Sequence, residues 1–201
     1  MAPLSSTLLL ALLTPLALSL PQATQPAYPA HTTSPNFHLV ANVTDCDLTP
    51  SIQNFVVSSY HIGAGEDVAV LVDTASYVGD AFYVNGTATD VRYGSSDILS
   101  DGGTPAFPYG FIVPSVNDTD GQGRRSVQIN AGYGTPGVVI AGFPNPVPYL
   151  SYSNAAAQES FGGWYACNTT LPYGSAIVLY YRDSSEEKPY GCAGLDLYPQ
   201  W

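Results

Sequence analysis

Few residues in this chain fall into spacings that do chemistry. Gly132-Tyr133-Gly134-Thr135-Pro136-Gly137 matches the G-x-G-x-x-G of dinucleotide-binding loops. That chemistry needs a helix directly after the loop, because helix N-terminal amides receive the pyrophosphate. Pro136 and the run Val138-Val139-Ile140-Ala141 read instead as a strand, so the match is accidental and no cofactor is expected. Asn117-Asp118-Thr119-Asp120-Gly121 hints at a calcium loop. An EF-hand frame with its glycine at Gly121 would put Val116 and Val127 at the first and twelfth ligand positions, where oxygen is required, so that motif fails. A looser cation site on Asp118 and Asp120 is the residual reading. His31, His38 and His61 have no metal-ligand spacing, and neither H-E-x-x-H nor G-x-S-x-G occurs. His61 reads as a strand-end histidine with an ordinary hydrogen bond. Carboxylate pairs for glycoside hydrolysis meet in space rather than in order. The chain has only four Glu, none in a strand-centred aromatic context. No catalytic residue, cofactor site or metal site is assigned.

Aromatic residues offer a different chemistry. Tyrosine and tryptophan stack on sugar faces while their polar ends bond hydroxyls. Tyr93, Tyr109, Tyr133, Tyr149 and Tyr152 lie in turn-rich stretches and are candidates for a glycan platform. Against this, tyrosine is also a strand former that suits half-buried sheet faces, and that is the preferred reading.

Four Asn-x-Thr sequons begin at Asn42, Asn85, Asn117 and Asn168, none with proline in the middle. Asn85, at an expected turn, and Asn168, after an expected strand, read as accessible. Asn42 falls within an expected strand and is the poorer acceptor. Cys167 and Cys192 flank a strand–turn–strand stretch that a bridge between them would tie, which leaves Cys46 as a buried thiol or a partner in an intermolecular bridge. Asp45 and Asp47 on either side should raise its pKa and keep it from being a reactive thiolate. Arg124 and Arg125, half of the four arginines, follow a segment with no apolar residue to bury, 118–123. Such a pair reads as an exposed loop. It is either a processing site for secretory endoproteases or, preferably, a solvated turn offsetting nearby aspartates, and Arg125→Ala is expected to leave the fold unchanged.

The elements that must position these residues are short strands. Phe37, Leu39, Ala41 and Val43 alternate with His38, Val40 and Asn42, a period of two. Further strands are expected at 52–61, 67–72, 80–84, 88–93, 109–113, 126–131, 137–141, 148–152, 161–166, 175–182 and 192–198. Asn85-Gly86 after Ala81-Phe82-Tyr83-Val84 predicts a hairpin turn. Ile177, Leu179 and Tyr181 should share one strand face and Val178, Tyr180 and Arg182 the other, so that strand is expected to be central. One or two helical turns are expected only at 154–159. The pattern predicts an all-β, single-domain antiparallel β-sandwich of jelly-roll or Greek-key kind over 36–201.

The N-terminus reads as a secretory leader. An apolar stretch runs from Leu8 to Leu20, too short to span a bilayer, with Ala17 and Ser19 at a small-residue cleavage site. Residues 1–19 are therefore expected to be a signal peptide, and 20–35 a flexible Pro/Thr/Ala-rich leader. The 16 acids and 5 bases give a net charge of −11. That field repels phosphate backbones and anionic membranes, so neither nucleic acid nor membrane is an expected partner. Charged residues are only 10% of the chain. Secretion, with a possible place in the cell wall, is the expected localisation.

The two ends of the chain resemble a known group. Gly163-Trp164-Tyr165-Ala166-Cys167, Ala176-Ile177-Val178-Leu179-Tyr180-Tyr181 and Gly191-Cys192-Ala193-Gly194-Leu195-Asp196-Leu197, with the opening Ser34-Pro35-Asn36-Phe37-His38-Leu39-Val40-Ala41-Asn42-Val43-Thr44, are similar to small secreted fungal proteins of unknown function. The resemblance implies a secreted β-sandwich with a 167–192 bridge and carries no catalytic residue. The expected function is a non-catalytic extracellular or wall-associated glycoprotein. A module binding wall or host glycans is the alternative, and an acid-active glycoside hydrolase comes third.

Overall fold

Period-two alternation sets the first strand: Phe37, Leu39 and Ala41 are buried while His38, Val40 and Asn42 between them are only partly covered. This computed structural model describes residues 34–142, 147–153 and 160–201. The expected signal peptide, nearly all of the leader, and the helical turns expected at 154–159 lie outside the described residues.

Strand β1 (His38–Asp45) pairs with β2 (Val56–Gly63), and β2 with β3 (Glu66–Val72). The chain then runs through β4 (Phe82–Asn85), α1 (Ala88–Tyr93), β5 (Asp97–Gly102), β6 (Phe107–Ile112), β7 (Arg125–Ser126), β8 (Gln128–Ala131), β9 (Val138–Ala141), β10 (Tyr149–Tyr152), β11 (Phe161–Leu171), β12 (Gly174–Asp183) and β13 (Ala193–Gln200). Among the described residues all the strand pairings are antiparallel. β13 lies between β1 and β11, and β11 pairs with β12. Two pairs, Ile177 with Leu71 and Val178 with Val70, return β12 to β3, so the sheet closes on itself. Beyond that point β3 and β12 part, and the chain wedges between them, β7 on β12 and β8 on β3. Buried Val127 sits at the fork, donating its N–H to Leu179 O (3.0 Å) and accepting from Ala69 N (2.9 Å). From β8 the sheet continues through β6 and β5 to β4, and a bridge from Phe82 to Phe37 reaches the head of β1. The expected all-β antiparallel domain is present, with its layers made chiefly by one sheet curling on itself. A separate β9–β10 ribbon packs Val138, Leu150 and Tyr152 into the core.

Both faces of β12 are buried, as its near-continuous apolar run predicts. Leu179 and Tyr181 join the main core with Trp164 and Phe111, while Val178 and Tyr180 join a second cluster with Val68, Val70, Tyr165 and the two half-cystines. Cys167 and Cys192 are bonded, with Cα atoms 4.6 Å apart, tying β11 to the entry of β13.

Two expectations are corrected around Asn85. Residues 88–93 form α1 rather than a strand, and Asn85-Gly86 is no hairpin turn, since β4 pairs with β5 beyond the helix. Local polar chemistry outweighs strand propensity here. Thr87 caps the N-terminus in a reciprocal box with Asp90, and Gly94, in the left-handed region at φ 67°, stops the helix.

Candidate functional site

One candidate lies where β4, α1 and β5 meet the 132–136 turn. Asp97 opens β5 with its side chain buried. Its Oδ1 accepts from Asn85 Nδ2 (2.8 Å) and its Oδ2 from Gly134 N (2.9 Å), so one carboxylate ties two turns to the sheet edge. Gly134 makes the approach possible, because a Cβ there would sit 2.7 Å from Ile98 O. Of the three glycines that mimic a nucleotide loop, Gly134 is thus explained by close packing on β5, Gly137 by its approach to Ser153 O and Gly132 by a positive φ of 119°. Asn85 is 5% exposed, and its Oδ1 has no donor among the described residues. A buried amide oxygen left without a donor costs about 1–3 kcal/mol.

Asn85 and Asp97 border an open cleft of about 480 Å³ completed by Thr87, Asp90, Ser95, Tyr133 and Pro136. Asp90 receives the Thr87 amide (2.8 Å) and hydroxyl (2.7 Å) on Oδ2, and the Ser95 hydroxyl (3.3 Å) on Oδ1. The bond from the Thr87 hydroxyl leads in holding its carboxyl below the ordinary value. Tyr133 is 56% exposed on the cleft wall. Among the described residues, no basic side chain lines the cleft.

In two other hollows most of the charged side chains are engaged within the protein. A groove of about 560 Å³ runs between the 120–126 segment and the β11–β12 hairpin, with Asn168 on its rim. A cleft of about 700 Å³ holds Arg182, Lys188, Asp45 and Glu186. There Arg182 donates to Glu186 O (2.9 Å), and Lys188 to Cys192 O (2.6 Å) and Asp45 (3.4 Å).

Arg124 and Arg125 are not an exposed loop. Arg125 is 2% exposed, lies 4.5 Å from the centre of the Tyr181 ring and bonds Glu186 at 2.8 Å. Arg124 lies 4.4 Å from the Tyr180 ring centre and pairs with Asp120 at 2.7 Å. Successive residues of a strand point to opposite faces, so the two guanidiniums cover one tyrosine on each side of β12. The apolar partners that hold them lie in β12, far away in sequence, which is why the local segment reads as solvated. This burial corrects the exposed, solvated placement expected for the pair, while the expected offset of a nearby aspartate is present between Arg124 and Asp120. Asp120 is desolvated, yet bonds from the Arg124 side chain and from the Arg124 and Gln122 amides hold it below its ordinary value. These bonds occupy the acid that a cation site with Asp118 would need.

The sequons divide by exposure. Asn117 and Asn168 are exposed, Asn168 within β11 rather than after it, and Asn42 is half-buried, accepting from Gln53 Nε2 (3.2 Å). Asn85, expected to be accessible, is buried because its amide bonds Asp97. Cys46 is exposed rather than buried, and the bond from its thiol to Asp45 (2.9 Å) pushes its pKa up. Of the platform tyrosines, Tyr93 and Tyr133 are exposed, Tyr109 and Tyr149 are half-buried, and Tyr152 lies in the core against Tyr181. They form no common platform; only Tyr133 lines the cleft. His61 bonds Asp67 at 3.0 Å, as a strand-end histidine should.

A family model described as a domain of unknown function, DUF7907, matches residues 34–201. The chain belongs to that family. A curated relative, antigenic protein SchS34 of Stachybotrys chartarum, is 42% identical over 150 residues, which cover 74% of this chain and 62% of the relative. The chain therefore spans less than two thirds of that relative's length. No solved structure matches. A fungal relative and a family of unknown function agree with the expected likeness to fungal proteins of unknown function. The Asn85–Asp97–Gly134 tie, which builds the cleft, was missed by sequence reasoning. Its one legible trace was a glycine pair with no nucleotide to serve.

Proposed function

We propose that the protein is a secreted, non-catalytic extracellular glycoprotein associated with the cell wall or surface. The observation that carries this reading is what its acids do. Asp47, Asp73, Asp80, Asp90, Asp97, Asp120, Asp183 and Glu186 each accept from at least one backbone N–H, most of them in turns and loops. Asp47, Asp90 and Asp183 are held below their ordinary values chiefly by hydrogen bonds. A general acid needs the opposite environment, one that keeps its proton near working pH. The Cys167–Cys192 bond suits an oxidising compartment. A relative named an antigenic protein supports an exposed extracellular setting. Asn117 and Asn168 are the sequons best placed to carry glycans.

Expression in a fungal secretory host tests this. The mature chain should appear in the medium or wall fraction with its N-terminus after Ser19, and a polysaccharide panel at pH 4–5 should show no turnover. Retention of the chain inside the cell would overturn the reading, as would hydrolysis abolished by changing one carboxylate.

A further inference from the structure

We infer that the sequon at Asn85 is a branch point in the maturation of the chain, where attachment of an N-glycan and completion of the native fold exclude one another. The inference rests on the extracellular reading, since only a chain that enters the secretory path meets the oligosaccharide transferase.

The exclusion is geometric. An N-glycan is bulky, belongs on the surface and is joined to the asparagine side-chain nitrogen. Asn85 Nδ2 instead donates to Asp97 Oδ1 at 2.8 Å inside the protein. The residue is 5% exposed and its Oδ1 has essentially no accessible surface, so a sugar on this amide has no way out. The neighbouring backbone is enclosed too: a Cβ at Gly86 would stand 3.0 Å from the Asp90 Cβ and 3.1 Å from that of Ser96. The third residue of the sequon is also engaged. Thr87 Oγ1 donates to Asp90 Oδ2 at 2.7 Å and accepts from Asp90 N at 3.2 Å as the N-cap of α1. Asn117 and Asn168 are exposed, so sugars there are compatible with the same fold.

Chain order sets the timing. Asn85 lies in β4, whose strand partner β5 is made later. The bond that holds its amide comes from Asp97, 12 residues downstream, and Asp97 is itself held by the amide of Gly134, a further 37 residues on. At about 5–20 residues per second, synthesis of that stretch takes roughly 2–10 s. Through those seconds Asn85-Gly86-Thr87 is a complete and uncovered acceptor. A sugar added then bars Nδ2 from its buried place beside Asp97 and leaves the β4–α1–β5 corner open. Chains so modified stay incompletely folded and are retained, whereas unmodified chains close.

The test expresses the full chain in a fungal secretory host and maps glycopeptides in the secreted and the retained intracellular pools. Asn117 and Asn168 should carry sugar in both pools, and Asn85 in the retained pool alone. Thr87→Asn removes the sequon while keeping a favoured N-cap residue, and Thr87→Ser keeps both. Thr87→Asn should abolish the Asn85 glycoform and raise the secreted fraction at the expense of the retained one. Thr87→Ser should still give retained chains glycosylated at Asn85. Unglycosylated Thr87→Asn protein with its disulfide formed should melt with the unglycosylated parent, which separates loss of the glycan from loss of the cap; should it melt lower, the comparison of pools in the parent decides alone. Sugar on Asn85 in the folded, secreted protein would overturn the inference. So would a retained pool with Asn117 and Asn168 occupied and Asn85 bare. Absence of sugar at all three sites would instead remove the glycoprotein reading on which the inference rests.

Discussion

Truncating Arg125 to alanine should destabilise the protein substantially, against the expectation drawn from its local sequence. The side chain is 2% exposed and its guanidinium lies 4.5 Å from the Tyr181 ring centre, a desolvated cation–π contact of roughly 1–2 kcal/mol. It also pairs with Glu186 at 2.8 Å. Breaking a fully buried pair typically costs about 3–5 kcal/mol, because the remaining charge is stranded. Glu186 is not stranded: its side chain is 39% exposed and keeps the Asp183 amide at 2.7 Å, which lowers that cost well below the buried range. Both effects act through one guanidinium and do not add in full, so about 3 kcal/mol is the expected loss. At about 2–4 °C per kcal/mol for a domain of this size, the melting temperature should fall by roughly 6–12 °C. Urea and thermal unfolding with the disulfide intact measure this directly. Arg124→Ala, whose side chain is 10% rather than 2% exposed, should lose less. A fall below about 2 °C for Arg125→Ala would refute the reasoning, as would ready cleavage of the folded protein after Arg125 by a dibasic endoprotease.

Non-reducing peptide maps should place Cys167 and Cys192 in one linked pair, with Cys46 alkylated in the native protein. Replacing both bridged cysteines by serine should cost roughly 3 kcal/mol for a loop of 25 residues. Asp47, Asp90, Asp120 and Asp183 are all depressed in the fold. Their stabilisation is therefore whole above the unfolded value near 3.9 and lost as pH falls through the lower folded values. Melting temperature should hold from pH 7 to about 4.5 and decline below about pH 4; a decline beginning between pH 6 and 5 would contradict the assignment. Glycopeptide mapping should find sugar on Asn117 and Asn168 and none on Asn85. Asn85→Gln should destabilise the fold, whereas Asn117→Gln should leave it unchanged.

Strand positions were legible wherever alternation or a long apolar run marked them. The opposite faces of β12 follow directly from Ile177 to Tyr181, and the disulfide from two cysteines placed on either side of that apolar run. What was not legible depends on partners distant in sequence. Arg125 reads as solvated because Tyr181 and Glu186 are more than fifty residues away, and Asn85 reads as a turn because Asp97 lies beyond α1. The helix itself was legible in principle: Thr87-x-x-Asp90 followed by Gly94 is a start and a stop signal. Strand propensity in Val91 and Tyr93 obscured it, and with it β5.

The acidity of the chain also takes a different meaning once the partners are known. Twelve aspartates with one lysine invite a search for a basic partner or an acid-active site. In the fold, the aspartates are scattered because many of them serve loops of their own. Asp47 holds Leu48 and Ile52, Asp80 holds Ser59, Asp120 holds Gln122 and Arg124, and Asp183 holds Ser160 and Ser185. A carboxylate accepting amide bonds satisfies donors that irregular backbone would otherwise leave bare, and does so without a regular partner strand. A curled sheet with many short strands has many such turns, so its demand for short acceptors is high and its need for lysine low. The net charge of −11 is in large part a by-product of that local chemistry. It follows that the aspartates at the cleft are placed by the turns they tie.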